Sequence, residues 1–347
     1  MLKVGLVGIG FMGHGHLDQY LRLMKEGAPV KLVALCDVDP KKFTNDEVQG
    51  GNMGDLGKGQ YDFSQFNLYS SMDEMLEKEE LDYVDIALPT YLHCRYAVKA
   101  MRAGKHVLCE KPMAINPEQC RRMIDTAKET GRRLMIAQCL RFWPAYEVLK
   151  EYVDKGTFGR PTCSFFCRAG STPIWSYEDW LRDENLSGGC LLDQHVHDVD
   201  MINWVFGVPE AVSTLGVNVH PGAGFDALST NYRYPCGMVV NAQDDWSMNG
   251  DVPFKMMYRA NFEKGALIFE DGKVTAYPVG APSFVVETDP DDGYYHEIKS
   301  FINALISGEE LATATVESTR NTICIATAER ESARRHGEWV AVEDTHE

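Results

Sequence analysis

Along the first 140 or so positions, short apolar runs alternate with longer stretches in which apolar residues recur every three or four places. The runs at 4–7, 30–36, 82–88, 106–109 and 133–138 read as buried parallel strands, because a strand covered on both faces is apolar throughout. Leu17, Leu21 and Met24 mark a helix after the first run, and residues 91–103 mark another. Ser71 with Glu74 forms a capping-box pattern that opens a short helix, and Asn116 with Pro117 supplies an N-cap and first-turn proline for a helix ending near Thr130. Residues 49–67, rich in Gly, Asn and Asp, read as a long loop before the third strand. Strand and helix in alternation predict a doubly wound parallel sheet.

The pattern changes after Arg141-Phe142-Trp143-Pro144 and a helix that runs to about Lys155. Segments near 162–169, 210–219, 227–234, 238–247, 254–262, 265–270 and 273–279 read as successive strands joined by short Gly or Pro turns, which predicts a mainly antiparallel open sheet. Helices are expected near 292–306 and 315–335. The fold class is therefore α/β with a doubly wound sheet over 1–142, followed by an α+β domain over 143–347.

A chain of 347 residues with 44% apolar and 24% charged content has room for about two globular domains. The net charge of −17 excludes nucleic acid as a partner, since that binding is driven by Lys and Arg neutralising phosphates and no basic run exists. No apolar run approaches the ~18 residues of a spanning helix, so no membrane partner is expected. The stretch from Lys3 to Met12 lacks the small-residue cleavage site of a signal peptide. Ten cysteines without a Cys-x-x-Cys pair fit a reducing cytoplasm, and no metal site is expected. Cys163 and Cys167, four apart without a second pair, make a poor ligand set, and His14 and His16 at a helix start read as exposed or near phosphate.

Gly8-Ile9-Gly10-Phe11-Met12-Gly13 joins the first strand to the first helix. Glycines in this register permit a tight turn, close approach of backbone to a pyrophosphate and close helix packing, while the helix N-terminus attracts the anion. Asp37 ends the second strand at nearly the spacing expected of a ribose-binding carboxylate, roughly 20 residues beyond the motif. A carboxylate there accepts from both ribose hydroxyls and repels a 2′-phosphate, which favours NAD over NADP.

Two further stretches carry chemistry. The strand at 106–109 ends in Glu110-Lys111-Pro112, beyond the carboxyl end of a parallel strand, where open α/β sheets bind ligands. The second is Ser187-Gly188-Gly189-Cys190-Leu191-Leu192-Asp193-Gln194-His195-Val196-His197-Asp198. If it is helical, Asp193, His197 and Asp200 share one face, while His195 falls on the stripe with Leu191, Val199 and Ile202 as a satisfied core histidine.

Together these residues resemble the family of glucose-fructose oxidoreductase, inositol dehydrogenase and related sugar dehydrogenases. The resemblance runs through the glycine motif, Pro89-Thr90 to His93, Gly104-Lys105-His106-Val107 into Glu110-Lys111-Pro112, Arg141-Phe142, and Gly188-Gly189 through Asp193 to His197. It implies a Rossmann domain with the nicotinamide near Lys111, and a second domain that supplies Asp193 and His197 and forms a homo-oligomer interface through its sheet. Carried over, the cofactor-binding residues are Gly8, Gly10, Phe11, Met12, Gly13, Asp37, Pro89, Thr90, His93, Glu110 and Lys111, and the catalytic set is Lys111, Asp193 and His197. The chemistry agrees with an NAD-dependent dehydrogenase acting on a polyhydroxyl substrate. Removing a hydride from a secondary alcohol requires a base for its proton, and either His197 or Lys111 can serve. His195 stands where the family commonly has glycine. Alternatives are a nucleotide-sugar or sugar-acid oxidoreductase, with Arg141, Arg168 and Arg182 holding an anion, and a non-catalytic dinucleotide-binding regulator.

Overall fold

The computed structural model describes residues 1–45, 51, 59–250 and 252–343. The chain divides into two compact units, one comprising 1–138, 175–180 and 294–317, the other 139–174, 181–293 and 318–347. A single boundary at 142/143 thus misses two returns of the chain to the first unit.

The first unit contains β1 (Leu2–Val7), α1 (Phe11–Lys25), β2 (Val30–Cys36), β3 (Asn67–Tyr69), α2 (Met72–Lys78), β4 (Tyr83–Ile86), α3 (Thr90–Arg102), β5 (His106–Glu110), α4 (Pro117–Thr130) and β6 (Leu134–Ala137). Among the described residues its six strands are all parallel, in the order β3-β2-β1-β4-β5-β6. The order reverses between β1 and its two neighbours, which leaves a crevice beyond the carboxyl ends of β1 and β4. Val4, Leu6, Val84, Ile86, Val107 and Leu108 are fully buried, as strands covered on both faces require.

Asn116 caps α4 by accepting from the Gln119 N–H at 2.9 Å, with Pro117 at the first helical position. Ser71 stands at the N-cap of α2 but its side chain makes no capping bond, so the capping box marks the helix start without its reciprocal hydrogen bonds. The stretch read as a loop before β3 contains a short 3-10 turn at Phe63–Gln65; residues 49–50 and 52–58 of it lie outside the described residues.

Among the described residues the second unit has nine strands, in chain order β7 (Pro161–Ser171), β8 (Ala211–Val217), β9 (Ala227–Arg233), β10 (Val239–Met248), β11 (Lys255–Phe262), β12 (Gly265–Glu270), β13 (Lys273–Pro278), β14 (Phe284–Val285) and β15 (Val340–Ala341). They lie in the order β14-β13-β12-β11-β7-β10-β9-β8-β15, antiparallel except for the β7/β10 pair. Between β7 and β8 come α6 (Glu184–Ser187), a π turn over Leu191–His195, and α7 (Val196–Phe206); α5 (Pro144–Asp154) precedes β7. Near the end of the chain α8 (Gly293–Ser307) returns to the first unit, and α9 (Val316–Arg334) runs back into the second. Alternation is strict where the sheet has one covered face: along β10, Val240, Ala242, Asp244 and Trp246 are buried and their neighbours are not.

Candidate active site

The glycine loop leaves β1 and enters α1 with no side-chain cap at Gly10 and no acidic residue in the first turn. A Cβ at Gly13 would stand 1.9 Å from the Gly8 carbonyl oxygen, so only glycine lets the helix pack onto the loop. A Cβ at Gly10 would meet nothing within 4 Å. Open space at uncapped N–H groups, at the positive end of a helix dipole, suits the pyrophosphate of a dinucleotide. Phe11 and Met12 are half-buried beside it. Asp37 is also half-buried; its Oδ2 accepts from the Ile9 N–H at 2.7 Å and its Oδ1 from the Asp39 N–H at 2.9 Å. Each oxygen retains a lone pair, so the carboxylate that braces the loop can still accept from ribose hydroxyls.

Beyond β4 and β5, Pro89 and Lys111 are half-buried while Thr90, His93 and Glu110 are buried. The ring nitrogens of His93 face two backbone carbonyls, Nδ1 that of Pro112 at 2.8 Å and Nε2 that of Leu88 at 2.7 Å. Burial pushes its pKa below the ordinary value. His93 therefore stands between the turn after β4 and the turn after β5, against a backbone carbonyl of each. Glu110 accepts the Lys111 N–H at 2.9 Å on Oε2.

Of the two readings of His14 and His16, exposed or near phosphate, the first fails, since both are buried. Burial lowers the pKa of His14. His16 is placed differently, its Nδ1 2.9 Å from Asp85 Oδ2 and its Nε2 3.0 Å from Glu110 Oε1. Burial opposes its charge, but Asp85 and then Glu110 outweigh it and hold the pKa well above the ordinary range.

In the second unit, residues 187–203 are buried with two exceptions, Asp193 and His197. Gly189 has φ of 68°, and a Cβ there would lie 2.3 Å from the Ala223 carbonyl oxygen. The tight entry leads into the π turn, whose extra residue per turn alters the spacing assumed for a plain α-helix. Asp200 does not join Asp193 and His197: it is buried and accepts from Arg141 Nε at 2.8 Å, Arg141 Nη2 at 2.7 Å and Thr322 Oγ1 at 2.7 Å. The same bonds correct the reading of Arg141 as an anion holder. Arg168 is likewise buried and donates from Nη2 to Asp198 at 3.0 Å, and Arg182 is half-buried. A guanidinium committed to a buried carboxylate leaves that carboxylate unpaired if it turns to a ligand.

His195 is fully buried on the core stripe, with Nδ1 3.5 Å from Asp244 and Nε2 3.3 Å from Glu329. Burial works against its charge, but Glu329 and Asp244 raise its pKa to about 10. Asp85, Asp244 and Glu329 escape sequence reasoning because each meets its histidine across tens of residues; a charged residue at an inward position of a strand or helix was the available signal.

Among the described residues no helix is long and apolar enough to cross a membrane. Residues 2–138 match the model of an oxidoreductase family with an NAD-binding Rossmann fold, and residues 146–268 match the model of the GFO/IDH/MocA C-terminal domain. The chain is similar to levoglucosan dehydrogenase of Pseudarthrobacter phenanthrenivorans, 30% identical over 66% of this chain and 58% of the relative. It is also similar to inositol 2-dehydrogenase/D-chiro-inositol 3-dehydrogenase of Lactiplantibacillus plantarum, 28% identical over 58% of this chain and 52% of the relative. It thus spans little more than half the length of these relatives. The fold is that of a levoglucosan dehydrogenase solved with NADH and levoglucosan, with a TM-score of 0.84 and 22% identity over 99% of this chain and 100% of the other.

Proposed function

Because this chain belongs to the GFO/IDH/MocA oxidoreductase family, with its NAD-binding Rossmann fold, we propose that it is a dehydrogenase that moves a hydride between NAD and a secondary hydroxyl of a sugar, inositol or related polyol. One observation carries the reading: in the buried run 187–203, the two residues that are only half-buried carry a carboxylate and an imidazole. Polar groups at the half-buried positions of an otherwise buried segment serve a ligand better than they serve the fold.

Bound NAD supplies the hydride acceptor. Residues 2–138 would hold it, the pyrophosphate at Gly8, Gly10 and Gly13 beside Phe11 and Met12, the ribose at Asp37, and the nicotinamide end by Pro89, Thr90, Glu110 and Lys111. In the oxidative direction His197 takes the hydroxyl proton as the carbon gives up its hydride, and the alcohol becomes a carbonyl. Lys111 stabilises the developing alkoxide, and Asp193 orients the imidazole or a second hydroxyl. The engagement of Arg141 and Arg168 with Asp200 and Asp198 favours an uncharged polyol over a sugar acid or nucleotide sugar.

The assembly is a homo-oligomer formed through the second unit's sheet, where Leu215, Val217, Val239, Phe284 and Val285 stand exposed. The ten free thiols fit a cytoplasmic site of action.

The test is NADH absorbance over a panel of inositols, aldoses, anhydrosugars and sugar acids, with Lys111→Ala and His197→Ala beside the parent. Turnover in the parent that disappears in both variants, with dinucleotide binding kept, is the expected result. Unchanged turnover in either variant removes that residue from the set, and tight NAD binding without turnover on any compound returns the regulator.

A further inference from the structure

The carboxylate before Lys111 is held from two sides. Glu110 Oε2 accepts the N–H of Lys111 itself at 2.9 Å, and Oε1 faces His16 Nε2 at 3.0 Å. The other ring nitrogen of His16 is 2.9 Å from Asp85 Oδ2, which also accepts the Tyr20 hydroxyl at 2.8 Å. Tyr20 accepts in turn from the Tyr83 hydroxyl at 3.1 Å. Glu297 of α8 brings a third carboxylate within 4.8 Å of both His16 and Glu110. All of these groups belong to the first unit, and all are buried.

A core at this place gains little stability from such a set. Replacing a buried ion pair by apolar side chains of similar volume is often neutral or stabilising, because desolvating the charges costs about as much as their attraction returns. What the set provides is direction. His16 stands one and a half turns into α1, the helix whose uncapped start faces the pyrophosphate space, and Tyr20 lies one turn further along the same face. Asp85 and Glu110 stand near the ends of adjacent strands, β4 and β5. Both ring nitrogens face carboxylate oxygens, so the doubly protonated ring satisfies both at once and fixes the rotation of each.

We propose that His16 is a positioning residue for Lys111: through Glu110 it ties the dinucleotide-binding helix to the backbone N–H of Lys111 and so sets where that ammonium stands. The catalytic consequence rests on the reading of Lys111 given above, whereas the placement itself does not.

The experiment uses the whole chain with its lysines reductively methylated with 13C, the Lys111 resonance being assigned by its loss in Lys111→Arg. In His16→Gln the Lys111 signal is expected to move while the other lysine signals hold. Against whichever polyol the parent oxidises, kcat should fall by about 10–100-fold, the scale of an ångström-sized misplacement. NADH affinity and substrate KM should stay within about threefold, because His16 is fully buried. An unmoved Lys111 signal, or kcat and NADH affinity falling together, overturns the proposal. Should His16→Gln fail to fold, Glu110→Gln keeps an acceptor for the Lys111 N–H while removing the anion that His16 faces. The same displaced signal is then expected, and an unmoved one is the contrary result. If Lys111→Ala leaves turnover intact, the catalytic reading of Lys111 falls, and the Lys111 signal still decides the role of His16.

Discussion

Arg141 grips Asp200 with two parallel hydrogen bonds, Nε to Oδ2 at 2.8 Å and Nη2 to Oδ1 at 2.7 Å, and both side chains are buried. Thr322 of α9 donates to the same carboxylate at 2.7 Å, so the segment after β6, α7 and α9 meet at one anion. Asp200→Ala leaves a buried guanidinium without this carboxylate and is expected to cost about 3–5 kcal/mol. Asp200→Asn, which still accepts at one oxygen, should cost less. Urea unfolding measures both, and a loss below about 1 kcal/mol in the alanine variant would show that the pair is not desolvated as its burial implies.

His195 makes the stability of the second unit depend on pH. Its folded pKa, raised to about 10 by Glu329 and Asp244 against burial, lies above the ordinary value of 6.5. The folded chain therefore binds a proton that the unfolded chain releases between those values. The contribution is complete below pH 6.5 and is lost as pH rises toward 10, at about 1.4 kcal/mol per pH unit within that window. Thermal unfolding of the parent at pH 6.5 and 9 should show this loss, and His195→Gln should lack it. Parallel pH profiles for parent and variant would mean that the ring is neutral in the fold.

What could be read from the sequence follows the range of the interaction involved. The doubly wound sheet was legible because most of its strands are short, mainly apolar runs and its helices repeat every three or four residues, both local patterns. The nine-stranded sheet was legible for the same reason, except for β14 and β15, two residues each, too short for any period. Asp193 and His197 are singled out by the family resemblance, not by residue type or period. Asp200 could not be separated from them, because the π turn breaks the assumed spacing and its true partner, Arg141, is distant in sequence. His16 shows the same limit: its sequence neighbours suggest a surface, and its partners lie 69 and 94 residues away.

Gly10 and Gly13 should fail in different ways. At Gly13 an added methyl meets the Gly8 carbonyl at 1.9 Å, so Gly13→Ala must open the loop and should lower both thermal stability and NAD affinity. At Gly10 the methyl enters open space, so Gly10→Ala should change stability by less than about 1 kcal/mol. NAD affinity should nevertheless fall, because that space is where the pyrophosphate would lie. Calorimetric titration with NAD beside thermal melts separates the two, and a Gly10→Ala protein that binds NAD as the parent does would place the pyrophosphate elsewhere.

Asp37 performs two tasks that one substitution would confound. Its oxygens brace the loop at the N–H groups of Ile9 and Asp39, and the same carboxylate repels a 2′-phosphate on the ribose. Asp37→Ala removes both, so the rate with NAD should fall even if the ribose contact contributes nothing. The informative quantity is the ratio of kcat/KM for NAD to that for NADP, in which the loop defect cancels because both dinucleotides need the same loop. The ratio should drop by about tenfold or more in Asp37→Ala, the scale of one lost charge-assisted hydrogen bond and one relieved repulsion. In Asp37→Asn it should also drop, since the amide keeps an acceptor but not the charge. Equal ratios in parent and variants would leave Asp37 with the loop alone and assign the choice of dinucleotide to other residues.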